Sequence, residues 1–430
     1  MNFRQVIIQH VFWRGLYFFS VFVLNVLISR YFKAEGSGWI FYVINNLSFL
    51  LLIISFSLES GCAYYAAKGD ISLQKISLFC LFWSLLATIV SLTVLVGFFP
   101  SLYPDAASRP EFILGCSCYI LGVLLTTYFV SLFFAKQFFK LPNIILLTVN
   151  MILIIVIMTF QKTSSFPKHF VFIYFLSFLL QGSLMALAFF FQFRGWKGLE
   201  LPWGNELKKI FRYSLLALTV NITFFLVYRV DYWFVKRFCS PADLGNYIQV
   251  SKIGQVLVLI PSIIASTIFP FVSGGQKEEV QNVLKILTRI LLFGIGTLSI
   301  LLALVGKWAF PFIFGQSFSE MHALFLLLIP GILAIAAHYP LTAYFAGKQM
   351  IGVNIRGAFC ALAIIVTGDL LFIPVWGVKA APLVSSVGYA TYYLYVLFVF
   401  RKLYPASLFD FFVVKKTDIN FFKKILHEKK

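Results

Sequence analysis

Apolar and polar positions in this chain are organised in long blocks rather than in short periods. Runs of about 20 apolar residues, enough to cross roughly 30 Å of hydrocarbon as a helix, fall at 8–29, 39–58, 76–99, 112–135, 142–160 and 169–191. A second set falls at 213–235, 246–272, 284–305, 321–346, 351–373 and 378–400. Runs of this length are helical rather than strand-like, and a helix satisfies its own backbone in lipid. The expected fold is an all-α polytopic membrane protein with about 12 transmembrane helices. Connectors are short, the longest on one side being the turn-rich Pro100 to Glu111, with Pro100, Pro104 and Pro110. The segment Glu59–Ser72 is small and polar and predicts an interfacial turn.

The two sets share a grammar about 207 residues apart. The first run ends in SRYFKAEGSGW (Ser29–Trp39) and the seventh in KRFCSPADLGN (Lys236–Asn246). A shift of 207 lays Arg237 on Arg30, Phe238 on Tyr31 and Gly245 on Gly38. An even number of spans per half makes the repeat parallel, with two six-helix lobes around a central cleft, the usual build of a transporter. The boundaries read as a first lobe over 1–191, a linker over 192–212, a second lobe over 213–400 and a basic tail over 401–430.

Composition sharpens this picture. Charged residues are 12% and hydrophobic residues 60%, with a mean hydropathy of +0.91; soluble domains carry about twice that charged fraction. Of the 35 Lys and Arg, most sit in or beside segments on the side of the N-terminus, above all the linker and the tail, which places both termini in the cytoplasm. The linker carries Arg194, Lys197, Lys208, Lys209 and Arg212 and suits an anionic leaflet. In the tail, Phe409, Phe411, Phe412, Phe421 and Phe422 alternate with lysines, as in a surface-lying amphipathic segment or a basic disordered tail. The net charge of +19 thus reflects membrane topology, and no nucleic-acid partner is expected. Helix 1 is too long for a cleavable signal peptide. Six scattered cysteines suggest neither a disulfide framework nor a zinc site.

Ionisable groups inside spans each need a reason, because burying one costs roughly 2.5–3.5 kcal/mol on insertion scales. Arg14, Arg229, Asp231, Lys252 and Asp369 are the candidates, with His338 a weaker sixth that suits core packing beside Pro340. The repeat shift takes Arg14 to Asn221 and Asn45 to Lys252, so polar positions coincide in related helices. Arg14, Arg229, Lys252, Asn45 and Asn221 are therefore candidate substrate-binding residues, against snorkelling for Arg14 and Lys252. Arg229 and Asp231 stand about 200° apart on a helix, so at least one needs a partner elsewhere. Asp369, at similar depth, is expected to pair with Arg229 or Lys252, either permanently or as a coupling switch, and Asp231 belongs to the same coupling set. Pro261, Pro270, Pro330, Pro340 and Pro382 predict bent spans. No phosphate-cradling loop, HExxH, CxxC or Asp-x-Asp pair is present, so no catalytic or metal-ligating residue and no cofactor is expected.

Four segments resemble a known family. These are SRYFKAEGSGWIFYV, RVDYWFVKRFCSPADLGNYIQVSKIGQ (Arg229–Gln255), FIFGQSF (Phe312–Phe318) and FIPVWGVKAAPLVSSVGY (Phe372–Tyr389). Their order and spacing are similar to Wzx-type flippases of the multidrug/oligosaccharidyl-lipid/polysaccharide exporter superfamily. Asp369 departs from the pattern, which commonly has Asn there. The resemblance implies a lipid-linked oligosaccharide on undecaprenyl pyrophosphate, moved across the bacterial inner membrane for O-antigen or other surface polysaccharide. It implies membrane lipids and polysaccharide-assembly proteins as partners, and coupling, if any, to H+, Na+ or the membrane potential. A cation-coupled drug exporter of the same superfamily is the near alternative, and a membrane polymerase or glycosyltransferase the distant one; the short outer connectors leave no room for the latter's catalytic loop.

Overall fold

A computed structural model of the chain describes residues 3–97, 103, 110–160, 166–193, 200–273, 278–404, 407–413, 415 and 418. Pro100, Pro104, Arg194, Lys197, Phe421, Phe422 and the Pro270 side chain lie outside the described residues. Among the described residues every regular element is helical: α1 (Phe3–Ser55), α2 (Leu58–Lys68), α3 (Leu73–Gly97), α4 (Pro110–Ala135), α5 (Lys140–Phe160), α6 (Phe166–Phe193), α7 (Asn205–Arg229), α8 (Asp231–Phe238), α9 (Pro241–Leu257), α10 (Leu259–Ser273), α11 (Glu278–Phe314), α12 (Met321–Gly347), α13 (Ile351–Trp376), α14 (Ala380–Leu403) and α15 (Phe409–Phe412). Among the described residues ten helical stretches are long and apolar enough to span a membrane. Two of them, Phe12–Ser55 and Ile351–Leu403, have 44 and 53 residues, about twice what one crossing needs. Counting each of those twice accounts for the twelve expected spans.

The double-length stretches are divided by single backbone positions. In α1 the break is Lys33, at φ 58 and ψ −175, a conformation that L residues rarely adopt. The sequence predicted a connector at Ser29–Trp39; the chain instead stays helical on both sides of Lys33, with Ser37 Oγ donating to the Lys33 carbonyl at 2.6 Å. Gly377, at φ 64, ends α13 before α14. The expected turn at Glu59–Ser72 is likewise helical through Lys68. Consecutive left-handed residues Phe56 and Ser57 make the turn earlier. Gly61 then packs so closely that an added Cβ would lie 2.8 Å from the Ile210 carbonyl. Within the linker segment, α7 begins at Asn205.

Contacts divide the chain into two units, Met1–Tyr31 with Tyr42–Ile222, and Phe32–Phe41 with Thr223–Lys430. In the first unit, the last carbonyls of α1, which lack helical partners, are met by Trp83 Nε1 at Ile54 (3.1 Å) and Tyr128 OH at Ser55 (3.2 Å). α4 and α6 cross where Gly122 and Gly182 let the backbones touch, an added Cβ on Gly182 lying 2.9 Å from Gly122 Cα. Small residues at a crossing replace the hydrophobic effect, which lipid does not supply between helices. A buried polar thread ties three helices, with Asn150 Nδ2 donating to Ser20 Oγ at 2.9 Å and Gln181 Nε2 to Asn150 Oδ1 at 3.0 Å.

In the second unit, Ser240 and Asp243 form a capping box with Pro241 in the first turn of α9. Gly38, on the short segment Phe32–Phe41, meets Gly245 of α9 backbone to backbone; a Cβ on Gly38 would stand 2.7 Å from Gly245 Cα. Beside that contact the FIFGQSF segment turns, Gly315 at φ 108 closing α11. Ser317 then accepts from Ala34 N at 3.0 Å through its hydroxyl and from Asn246 Nδ2 at 3.1 Å through its carbonyl. The tail does not merely lie on a surface. Phe411 is buried against Phe400, with ring centroids 5.7 Å apart. Arg289 of α11 grips Asp418 with two nitrogens, Nε at 2.7 Å and Nη2 closer still, and also donates to the Asp410 carbonyl. Both ionic side chains are under 5% exposed.

Candidate functional site

The first unit holds Arg14 in a seat built for a guanidinium. Its Nη1 donates to Asn143 Oδ1 at 3.5 Å, and its charge lies over Phe18, Tyr17 and Phe134 at 4.9, 5.2 and 5.9 Å. Stacked rings favour Arg at such a place because its planar cation is weakly hydrated. Asn143 is itself fixed by donating to the Phe139 carbonyl at 2.7 Å. Lys140 stands one turn away over Trp13 at 5.8 Å. The Arg14 side chain keeps partial exposure. Asn45 is fully buried, and Asn221 donates to Ser57 Oγ at 3.1 Å, so each of these three expected residues has its own surroundings.

The second unit gathers the remaining charges. Asp231, 1% exposed, opens α8 where the helix is interrupted at Val230. Its Oδ2 accepts from Tyr247 OH in a short bond and from Ser385 Oγ at 3.1 Å. Tyr247 and Ser385 oxygens are 3.4 Å apart. Asp369, fully buried on α13, is the electrostatic neighbour of Asp231. In this conformation the expected pair of Asp369 with Arg229 or Lys252 is not formed. Among the described residues neither Asp369 oxygen has a hydrogen-bond partner. The reason is geometric: Arg229 is partly exposed and lies over Phe225 at 5.5 Å, while Lys252 is drawn to the face of Phe41, 2.9 Å from its centroid. Arg229 remains within electrostatic range of the cluster, since its charge acts on Asp231 and also on Lys252.

Two buried carboxyls within electrostatic range of each other are costly unless a proton or a cation relieves them. That is the main chemical feature of this unit. The sequence pointed to both aspartates but not to the hydroxyls around them. Tyr247 stands in LGNY and Ser385 and Tyr389 in VSSVGY, segments already singled out for other reasons, so the motifs carried the signal. His338 is a core residue as expected, 3% exposed, its Nδ1 2.6 Å from the Ile335 carbonyl. All six cysteines are free thiols. Among the described residues, no group of three or more His, Cys, Asp or Glu is placed to hold a metal.

Comparison with known proteins agrees with this architecture. Residues 68–323, more than half of the chain, match the family described as "Polysaccharide biosynthesis protein". The chain superposes on a structure of the lipid II flippase MurJ in an inward closed conformation with a TM-score of 0.69 at 13% identity, covering 99% of this chain and 93% of that one. An inward-facing multidrug resistance MATE family transporter of the MOP superfamily gives a TM-score of 0.69 at 12% identity, over 91% and 96% of the two chains. A MOP superfamily transporter from Pyrococcus furiosus gives 0.65 at 13%, over 92% and 94%. At such identities the shared property is the fold. No curated protein matches the sequence.

Proposed function

Because this chain belongs to the polysaccharide biosynthesis protein family and has the MOP-type membrane fold, we propose that it is a flippase for lipid-linked oligosaccharides. Its cargo is an oligosaccharide on undecaprenyl pyrophosphate, moved across the bacterial inner membrane by alternating access for surface polysaccharide assembly. The observation that carries this reading is the Arg14 seat: a guanidinium inside the membrane, oriented by Asn143 and three rings and still partly exposed. Arg grips phosphate oxygens bidentately, and an intramembrane cation is worth its cost when an anion arrives to meet it. Arg229 and Lys252 extend the same preference into the second unit. That one fold neighbour is described as a lipid II flippase supports a lipid-borne cargo.

Coupling belongs to Asp231 and Asp369. A proton or a monovalent cation taken up there relieves two buried carboxylates whose charges act on each other, and release to the other side of the membrane drives the return of the empty carrier. That same pair favours the second reading, a cation-coupled drug exporter; one fold neighbour is described as a multidrug resistance transporter. The experiment is complementation of a strain lacking the chain. Arg14→Ala should abolish surface glycan with membrane abundance unchanged, and Arg14→Lys should restore part of it. Normal glycan display with Arg14→Ala removes the cargo assignment. Drug resistance that depends on Asp231 and ignores Arg14 installs the exporter in its place.

A further inference from the structure

Tyrosines and a serine surround the buried Asp231 of the second unit. On α14, Ser385, Tyr389 and Tyr392 follow at spacings of four and three, hence on one face, and all three are buried. Ser385 touches Asp231 directly. Tyr247, from α9, donates to Asp231 and also lines a cavity of about 30 Å³ whose polar wall is Tyr228, Tyr247, Ser251, Gln255 and Tyr389. That is the size and the lining of a site for one water, which needs two to four polar partners. On the cavity wall the ring of Tyr228 is tilted against that of Tyr389, with centroids 5.7 Å apart, and its hydroxyl lies beside that of Tyr339. Tyr339, unlike its neighbour His338, is partly exposed.

We propose that Tyr339, Tyr228, one water in this cavity and Tyr247 form a proton route from the surface of the second unit to Asp231. Packing alone does not explain the hydroxyls: phenylalanine fills such places equally well, and the chain uses 52 phenylalanines elsewhere. Along the route each oxygen accepts a proton on a lone pair and releases its own to the next, so only O–H bonds form and break. The carboxylate of Asp231 ends the transfer, and Tyr247 regains its proton from the water. The titratable groups around the route are Arg229 from α7, Asp231 and Tyr232 from α8, His338 from α12, Asp369 from α13 and Tyr389 and Tyr392 from α14, while Lys252 of α9 lies within range of Arg229. Asp231 is the carboxylate that Tyr247 reaches directly, whereas His338 has its Nδ1 committed to the Ile335 carbonyl.

This inference rests on proton coupling at Asp231 and Asp369, and the test separates the two. Full-length protein in liposomes is subjected to a pH jump while infrared difference spectroscopy follows carboxyl protonation, the bands being assigned with Asp231→Asn and Asp369→Asn. Tyr228→Phe should slow protonation at least about tenfold while leaving its final amplitude unchanged, because only the route is cut. Ser251→Leu, which fills the cavity, should slow it as well, and Tyr392→Phe should not. An unchanged rate with Tyr228→Phe overturns the route and leaves the coupling in place. Carboxyl bands that ignore pH in the unsubstituted protein, or respond to sodium alone, overturn both.

Discussion

Lys33 shows how much one residue can decide. Its backbone conformation is one that costs of order 1–3 kcal/mol for an L residue, and it is held because the helical turns on either side are packed. Lys33→Gly should raise the melting temperature of the purified protein by an amount worth about 1 kcal/mol after the added freedom of the unfolded chain is counted. Lys33→Val should lower it, and an unchanged or lower value for glycine means the backbone there is relaxed. The aspartates make the complementary point about legibility. Their location inside spans was evident from charge alone, yet their partners were not. Tyr247 is 16 residues from Asp231 and Ser385 is 154 away, and a hydroxyl within an apolar run has no signature of its own. Pairing by depth suggested a cation for Asp369; its electrostatic neighbour is instead a second carboxyl.

Among the elements, the tail knot is the least expected from sequence and the most exposed to test. Arg289 reads as one more positive charge near a span end, and Asp418 has no motif around it. Together they form a buried bidentate pair, and removing one partner of such a pair costs about 3–5 kcal/mol because the other is left uncompensated. Asp418→Asn should therefore lower thermal stability by about that much, and exchanging the charges (Arg289→Asp with Asp418→Arg) should recover part of it. No change in melting would place the pair outside the folded core. Acid adds a smaller effect. The Lys415 ammonium beside Asp410 holds that exposed carboxyl below the usual carboxylate range. Its contribution is complete above about pH 4 and fades as pH falls through the lowered value, so the tail should loosen in acid rather than in base. A hydrogen-exchange profile of residues 407–418 that ignores acid would contradict this.

For the whole molecule, hydropathy blocks carried most of the fold. Twelve spans were visible because each must be about 20 residues long to cross lipid. The divisions within the two longest stretches were not, since Lys33 and Gly377 interrupt the helices without any polar loop to announce them. Orientation is a separate matter, argued from lysine and arginine. Reporter fusions at 200–204 and after Arg401 should read cytoplasmic, and a fusion near Asp243 periplasmic. A periplasmic tail would end both the orientation and the parallel repeat.

The contact between Gly38 and Gly245 has a genetic consequence. Most damaging substitutions in a packed interior can be compensated by trimming whatever side chain they strike. Here a methyl group on either glycine strikes main chain: Gly245 Cα and N and the Pro241 carbonyl in one case, the Ala34 backbone in the other. Main-chain atoms cannot be trimmed by any codon change. Alleles at these two codons should therefore yield true revertants in a selection for restored growth and almost no second-site compensation.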